Sequence, residues 1–459
     1  MLIGKKRWLR FRQYAVRVQF LNGPCRDIPP SVQFNVVTAL SRFTEVSLPL
    51  LPNLKEIVWR EWKPSTRVDM TVPLVQFFAG PKVASLSLFL KGWPQSAAVR
   101  AVLFGLPNTC PNVTSFTFTI RWPYLQPDTA ARYIVDVARR WPHLQALQIS
   151  PYCRLVMTQL ASKPALTTLG IVIDCMNPVY CIGRLPDSIH TFSLEIYGSQ
   201  NNLRCLDTLQ GSPTNFHLRI IVPCSQGMGD FSRTLPTRLD NTRLHSLTIE
   251  ATGYSCPCIQ SWSWPTEPLL ESLYAFSVLR ALDLSSFCAL ALNDAAYAQM
   301  AMMWPELTSL KVGTTDMSEG RPAASVGAVI AVLRFCPHLQ TLHIVFNGSI
   351  PPPPPVMVAD GEEEEENVDM EGVEDKKEER AASQVNRWGV SNQHVTQIHV
   401  GYSPFWEGVD SLKDLASCLK SVMPRLETIR SKTDVAEPWG MVQNLLVGDD
   451  APALRGQSA

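Results

Sequence analysis

The sequence predicts an α/β solenoid in which short parallel strands alternate with helices, and three observations predict it. A short phrase recurs along the chain, for example as PHLQALQI from Pro142 and PHLQTLHI from Pro337. Segments between the copies carry apolar residues at helical spacing. Apolar residues make up 46% of the chain and charged residues only 18%, which is enough material for a long core. Because no single unit can bury its own apolar side, neighbouring units must stack.

The recurring phrase reads Pro-x-Φ-x-x-Φ-x-Φ, where Φ is an apolar residue. Its first apolar positions are residues 54, 83, 113, 144, 166, 189, about 216, 244, 279, 307, 339, 395 and 426, mostly 22 to 35 residues apart. Leu-x-x-Leu-x-Leu is the strand signature of leucine-rich repeats, and the longer units indicate helices between the strands. The sequence therefore predicts an irregular horseshoe of about a dozen strand–helix units, with a parallel sheet on its concave face.

Each copy of the phrase predicts which side chains are buried. Because a strand has a period of two, Leu342 and Ile344 point to the same face and belong to the core. Apolar stripes at helical spacing predict returning helices over residues 128–140, 326–333 and 412–422. The recurring proline ends each helix, since it cannot continue one. The residues placed as helix N-caps are Asp128, Asp294 and Asp410.

The chain is predicted to have five parts. These are a basic helical segment leading into the repeats (1–45), leucine-rich repeats (46–349), a disordered Pro-rich and acidic insertion (350–385), the last repeats (386–432) and a C-terminal tail (433–459). The insertion contains five consecutive prolines, Pro351 to Pro355, and an acidic tract from Asp360 to Arg380 with net charge −9. Such a composition lacks the apolar residues needed to fold. Since the whole chain has a formal net charge of zero, the remainder carries +9.

The first segment contains no acidic residue before Asp27. We interpret it as a helix with a packed face, and the alternative is a mitochondrial presequence, which is also basic and poor in acids. The residues of the predicted packed face are Trp8, Phe11, Tyr14, Ala15 and Val18.

The sequence contains no motif that indicates catalysis, a cofactor or a metal. There is no phosphate-binding loop, dinucleotide-binding motif, zinc-protease motif or hydrolase nucleophile motif. Cys256-Pro-Cys258 has no second cysteine pair at zinc-ligand spacing. The eight histidines all lie in or beside the repeated phrase, which predicts surface-facing, variable positions. We therefore predict a non-enzyme without a cofactor.

Composition also bounds the compartment and the partners. Twelve cysteines without a signal peptide indicate reduced thiols and an intracellular protein, cytoplasmic or nuclear. No apolar run is long enough to span a membrane. Basic residues are not clustered among aromatic ones, so nucleic-acid binding is not predicted.

The residue between the last two apolar positions of each copy points away from the core. From residue 279 onward this outward column is charged or ionisable, whereas its earlier part is small and neutral. Solenoids characteristically bind partners through such a face, and the alternative is a merely solvated sheet surface. The candidate partner-binding residues are Asp283, Lys311, His343, His399 and Arg430.

Three stretches carry a resemblance to a known family. They are the segment Trp8 to Val18, the run LRALDLSSFCALALNDAAYAQMAMMWPELTSLKV from Leu279, and NRWGVSNQHVTQIHVGYSPF together with VDSLKDLASCLKSVMPRLETI. The chain resembles the leucine-rich-repeat region of F-box proteins from mushroom-forming fungi. That resemblance implies a substrate-binding part of a cullin-RING ubiquitin ligase with a protein partner. A Skp-type adaptor is implied only if an F-box, which opens with a Leu-Pro-x-Glu helix not found here, lies upstream of Met1.

Two alternatives from other classes are a leucine-rich-repeat GTPase activator and a stand-alone scaffold with no ligase link. The activator would need regular repeats of ~28–29 residues, within the range known for such units. The irregular spacing found here disfavours it.

Overall fold

The computed structural model describes most of the repeat region of the chain. The described residues are 5–23, 49–60, 72–90, 97–120, 127–150, 154–173, 182–197, 204–221, 233–252, 266–286, 292–313, 322–348, 350, 388–404, 409–431 and 436–447. They divide into two compact units, Met1–Asp240 and Asn241–Ala459.

The first unit is a parallel sheet with its returning segments. Its strands are β1 Phe20–Gly23, β2 Glu56–Arg60, β3 Ser85–Leu90, β4 Ser115–Ile120, β5 Ala146–Ile149, β6 Thr168–Ile173, β7 Thr191–Tyr197 and β8 Asn215–Ile221. Its helices are α1 Lys5–Ala15, α2 Ala97–Thr109, α3 Pro127–Arg139 and α4 Arg154–Leu160, with 3-10 helices at Val72–Phe77 and Arg204–Thr208 and a short helix at 233–238. Each strand pairs in parallel with the next one along the chain.

The second unit repeats the same plan. Its strands are β9 Ser246–Thr252, β10 Ala281–Leu284, β11 Ser309–Val312, β12 Thr341–Ile344, β13 Gln397–Gly401 and β14 Thr428–Ser431. Its helices are α5 Thr266–Leu273, α6 Asp294–Met303, α7 Val326–Phe335, α8 Val409–Val422 and α9 Ala436–Val447. All neighbouring strands in this unit are again parallel and in chain order. The predicted α/β leucine-rich-repeat solenoid is confirmed.

The phrase predicts every described strand except the first. Strand β1 pairs with β2 through Leu21 opposite Ile57 and Gly23 opposite Trp59. In this register Val18 and Leu21 occupy the first two apolar positions of the phrase, but glycine stands at the third. The pattern therefore misses β1, and the sheet begins within the segment 1–45.

Burial follows the predicted period of two. In β4 the side chains of Phe116, Phe118 and Ile120 are buried, and those between them are partly exposed. Leu282 and Ile344, taken from other copies of the phrase, are 1% and 0% exposed. A buried leucine or isoleucine contributes roughly 1.5–3 kcal/mol to stability. The stability of each unit is therefore built from many similar contributions along its core.

The corners between helix and strand follow the proline. Trp304 and Cys336 precede Pro305 and Pro337, end α6 and α7 in non-helical conformations, and are 0% exposed. The Cys336 thiol donates to the carbonyl oxygen of Trp304 at 3.4 Å. These successive corners are therefore joined by a hydrogen bond as well as packed against each other.

The predicted N-cap of α6 is wrong by one residue. Asn293 is the cap, because its side-chain oxygen accepts from the backbone N–H of Ala296 at 2.9 Å. Asp294 begins the helix and reaches into the next repeat, where its carboxylate accepts from the Ser325 backbone N–H at 2.6 Å and from the Ser325 hydroxyl at 2.5 Å. Ser325 in turn caps α7, since its hydroxyl oxygen accepts from the N–H of Gly327 at 2.9 Å. Asp128 and Asp410 likewise lie inside the first turn of their helices.

The N-terminal helix packs as predicted at Trp8, Phe11 and Ala15, but not at Tyr14, and it ends at Ala15, before Val18. Trp8 and Ala15 are 6% and 3% exposed, and Trp8 stacks on Phe11 at 5.2 Å between ring centroids. Tyr14 was expected on the same face but is 54% exposed. It lies six residues after Trp8, a rotation of about 240° at 100° per residue, and this takes its ring out of the buried stripe.

The predicted C-terminal tail contains α9, which covers the edge of the sheet. Trp439 is 1% exposed and donates from its indole nitrogen to the carbonyl oxygen of Ser403 at 2.9 Å. The Gln443 side chain accepts from the Ile429 N–H at 2.5 Å and donates to the Glu427 carbonyl oxygen. The Gln443 carboxamide thus makes the two hydrogen bonds that a peptide group of a further strand would make, so the edge of β14 is not left open.

The acidic insertion, predicted over 350–385, lies outside the described residues apart from Ile350. Strands β12 and β13, on either side of it, are direct neighbours, with Leu342 opposite Ile398. Gly348 donates to the Pro404 carbonyl oxygen at 3.0 Å just before the insertion. After it, the Trp388 carbonyl oxygen accepts from Arg334 at 2.8 Å. The insertion therefore interrupts the sequence without interrupting the sheet.

Candidate functional site

The structure brings the five candidate residues together in one row within the second unit. Asp283 lies opposite Lys311, Lys311 opposite His343, His343 opposite His399, and His399 opposite Arg430. Each comes from a different strand, β10 to β14, at the outward position of the phrase. The first four lie between two core residues, whereas Arg430 lies between the partly buried Ile429 and Ser431. We call these five residues the charged row.

The first two members of the charged row form an ion pair. Lys311 Nζ lies 2.9 Å from Asp283 Oδ2. Asp283 Oδ1 accepts from the hydroxyl of Ser285 at 2.6 Å and from its backbone N–H at 3.1 Å. Burial raises the pKa of Asp283, but the hydrogen bonds from Ser285 and Lys311 outweigh it and hold the pKa below its usual value. This end of the row presents a fixed, ionised and locally neutral pair.

The two histidines pack against each other. Their ring centroids are 4.2 Å apart with an interplanar angle of 62°, an edge-to-face arrangement. His343 is only 7% exposed, so the expectation that the histidines face solvent is wrong for this residue. It points outward from the sheet, but the neighbouring strand brings His399 alongside it. The accessible part of the pair is therefore His399.

A local irregularity of β13 fixes the His399 ring. The register shifts between His399 and Gly401, and Gly401 has φ +56°, a conformation that favours glycine. The backbone N–H of Gly401 donates to His399 Nδ1 at 3.3 Å. This contact makes Nδ1 an acceptor, so the neutral ring carries its proton on Nε2.

Arg430 supplies the exposed charge at the end of the row. Its neighbour Gln397 lies on β13, two residues before His399 and on the same face. With the Gln397 carboxamide oriented so that its oxygen faces the guanidinium, that oxygen accepts from Arg430 Nε and from Nη2, the latter at 3.1 Å. Arg430 is thereby held by one neighbour and keeps further donors for a partner.

Three supporting residues were missed from the sequence: Ser285, Gln397 and Gly401. Ser285 and Gln397 are two residues away from a member of the charged row, and hence on the same face of their strands. A search of every second residue, rather than one position per copy, would have found both. The bulge at Gly401 has no signal in the phrase.

The outward face of the first unit is not entirely neutral. Arg219 lies 3.7 Å from Glu195, which also accepts from the Tyr197 hydroxyl at 2.7 Å. The guanidinium of Arg60 lies over the Phe89 ring, 5.0 Å from its centroid. The charged side chains among them lie one outward position, two residues, beyond the column used for prediction. The sequence therefore predicted a small and neutral surface for that part of the sheet.

The described residues offer little other chemistry. They contain no group of three or more metal-ligating side chains, and no helix among them could cross a membrane. Burial raises the pKa of the Cys336 and Cys418 thiols to about 12 each, and it raises the pKa of the Cys110 thiol above its usual value, so all three stay protonated. Cys256 and Cys258 lie outside the described residues.

Comparisons with known proteins give distant likenesses. The sequence matches no known protein family and no curated protein. The leucine-rich-repeat-containing protein LegL7 from Legionella pneumophila is 13% identical, over 95% of this chain and 99% of its own, with a TM-score of 0.38. A chain in the Rad7 and Elc1 complex from yeast is 12% identical, over 94% of this chain and 91% of its own, with a TM-score of 0.40. An internalin (InlF) from Listeria monocytogenes is 11% identical, over 89% of this chain and 92% of its own, with a TM-score of 0.31. The fold assignment rests on the strand register and burial of this chain itself.

Proposed function

We propose that the chain is a non-catalytic recognition protein that binds a protein partner through the charged row. The observation that supports this most is the placement of five charged or ionisable side chains on five consecutive strands. Parallel strands lie about 4.8 Å apart, so the row extends roughly 19 Å across the sheet. That length fits a stretch of protein surface better than a small molecule.

The row combines rigid parts with an accessible end. Asp283 and Lys311 neutralise each other, and His343 is buried under His399. His399 and Arg430 are the members best placed to contact a partner. Arginine at a partly preorganised site is a common source of binding energy in protein interfaces.

In its finer form, the proposal is that the partner is a substrate of a cullin-RING ubiquitin ligase. Only the resemblance to F-box proteins supports this step. The repeats would hold the substrate, and the ubiquitin chemistry would belong to other subunits. A Skp-type adaptor should then co-purify with a longer gene product carrying an F-box, and its recovery by these 459 residues alone would contradict that arrangement.

The row itself is tested by comparing two variants of the full chain in its native cells. One carries His399→Ala with Arg430→Gln, and its matched control carries Thr117→Ala, an outward change on β4. Quantitative mass spectrometry of co-purified proteins should find at least one protein depleted tenfold or more by the row variant and retained by the control. Identical sets of proteins for both variants would show that the row is only a solvated sheet face.

For the ligase step, the measurement is the half-life of the protein lost from the row variant. We expect it to lengthen when the row variant replaces the wild-type chain, because an unbound substrate escapes ubiquitin transfer. An unchanged half-life would leave binding intact and remove the ligase link.

A further inference from the structure

We propose that α1 and β1 form a second docking surface, which takes an extended acidic peptide segment of another protein. We call it the amino-terminal face and define it by Leu9, Arg10, Tyr14, Arg17 and Phe20. It belongs to the first unit, and the proposal does not depend on the function of the charged row.

The first observation is the concentration of exposed apolar side chains. In the described part of the chain, seven large apolar residues are strongly exposed, and four of them lie between residues 9 and 20. They are Leu9, Tyr14, Val16 and Phe20, at 53%, 54%, 47% and 67% exposure. Exposed apolar side chains that are concentrated in one short segment mark an interaction site more often than scattered ones do.

These side chains are not needed to hold the helix in place. The opposite side of α1 packs Trp8 and Phe11 against Leu50, Phe77 and Phe78. Leu9 and Tyr14 therefore lie on a helix that is already anchored, and Phe20 lies on a strand that is paired with β2, so the face has a fixed orientation before a partner binds.

The second observation is charge of a single sign. The first 26 residues contain seven basic residues and no acidic one. Arg10, Arg12 and Arg17 are exposed among the apolar side chains. The Arg17 guanidinium lies 5.9 Å from the centroid of the Tyr14 ring, which orients it beside an apolar surface. A partner that matches this face must carry carboxylates as well as apolar groups.

The third observation selects a peptide over other anionic partners. β1 is the terminal strand of its sheet and pairs on one side with β2, while its other edge pairs with no strand that the structure describes. Phe20 lies on this strand, opposite Glu56, on the outward side of the sheet. An extended peptide can satisfy the backbone N–H and C=O groups of such an edge. Neither a lipid surface nor a nucleic acid offers a matching backbone ladder.

A peptide selection on the full chain tests this proposal. Immobilised protein is offered a random 16-residue peptide library displayed on phage, and selection is repeated with the variant Arg10→Gln, Arg17→Gln, Phe20→Ser. All three positions are exposed, so circular dichroism and the melting temperature of the variant should match those of the wild type. We expect the wild-type pool to be enriched in peptides with several acidic and alternating apolar residues.

The selected consensus peptide is then synthesised with a fluorescein label and titrated by anisotropy. We expect its Kd to rise at least tenfold for the triple variant and to change less than twofold for the control Arg139→Gln, Met302→Ser, which alters an exposed arginine and an exposed apolar residue elsewhere. No enrichment, a pool without net negative charge, or equal affinity for the wild type and the triple variant would overturn the proposal. It would also be overturned if vesicles containing phosphatidylserine or a single-stranded oligonucleotide bound more tightly than the peptide and lost that binding in the triple variant.

Discussion

The contact between Asp294 and Ser325 gives the sharpest test of how neighbouring repeats are coupled. The carboxylate accepts two hydrogen bonds from Ser325, at 2.6 and 2.5 Å, and Ser325 is only 5% exposed. Asp294→Ala removes both acceptors, so a buried N–H and a buried hydroxyl lose their partner. Leaving a buried donor unsatisfied costs about 1–3 kcal/mol. Because the hydroxyl can rotate toward another acceptor, we expect a total loss of about 2–4 kcal/mol.

Urea denaturation followed by circular dichroism measures this loss as a shift in the free energy of unfolding. Asn293→Ala is the matched control, because it removes an ordinary cap from the same helix and should cost only about 1 kcal/mol. A double-mutant cycle with Ser325→Ala isolates the pair, and we expect a coupling energy of at least about 1 kcal/mol. If Asp294→Ala changes stability by less than about 0.5 kcal/mol, the carboxylate does not tie the two repeats together.

Three further predictions concern the core, the charged row and the sheet edge. Leu342→Asp should lower the free energy of unfolding of the second unit by at least about 3 kcal/mol in the same denaturation assay. The reason is that it buries an unpaired carboxylate at a position where the leucine is 1% exposed. A loss below about 1 kcal/mol would contradict the assignment of Leu342 to the core face of β12. Since the pKa of Asp283 is lowered in the folded state, its contribution is complete above the ordinary aspartate value of about 3.9 and is lost as the pH falls through the folded value. The melting temperature should therefore drop more steeply on acidification for the wild type than for Asp283→Asn, and parallel curves would refute the role of the Lys311 and Ser285 contacts. Gln443→Ala should speed hydrogen exchange of the Ile429 amide at least tenfold, while an unchanged rate would mean that α9 protects this edge in another way.

The strands were the predictable part of the fold, because each one is specified locally and the specification is repeated. Leu-x-x-Leu-x-Leu places Leu282 and Ile344 in the core from period alone, and the structure confirms both. The same reasoning failed at β1, where Gly23 replaces the last apolar residue and only pairing with β2 reveals a strand. Periodicity therefore predicts an element only where the sequence keeps the apolar residue that the period requires.

Contacts between repeats could not be predicted in this way. The position of Asp294 at a helix start suggests a cap for its own helix, but its actual acceptor role is toward Ser325, 31 residues later. Gln443 lies in what the sequence presents as a tail, yet its carboxamide completes a strand edge. Both depend on the distance between neighbouring units, which no single copy of the phrase contains.

The candidate site shows the same division. The alternation of a strand was enough to predict that the charged row points outward, and the register aligns its five members. It was not enough to predict which of them a partner can reach, because His343 is covered by its neighbour His399 and Lys311 is engaged by Asp283. Exposure on a sheet face depends on the side chains of the adjacent strands as much as on direction. The partner that we propose for the charged row would therefore contact a surface that several repeats build jointly. Binding across five strands should consequently stabilise the contacts between repeats, and not only the residues that the partner touches.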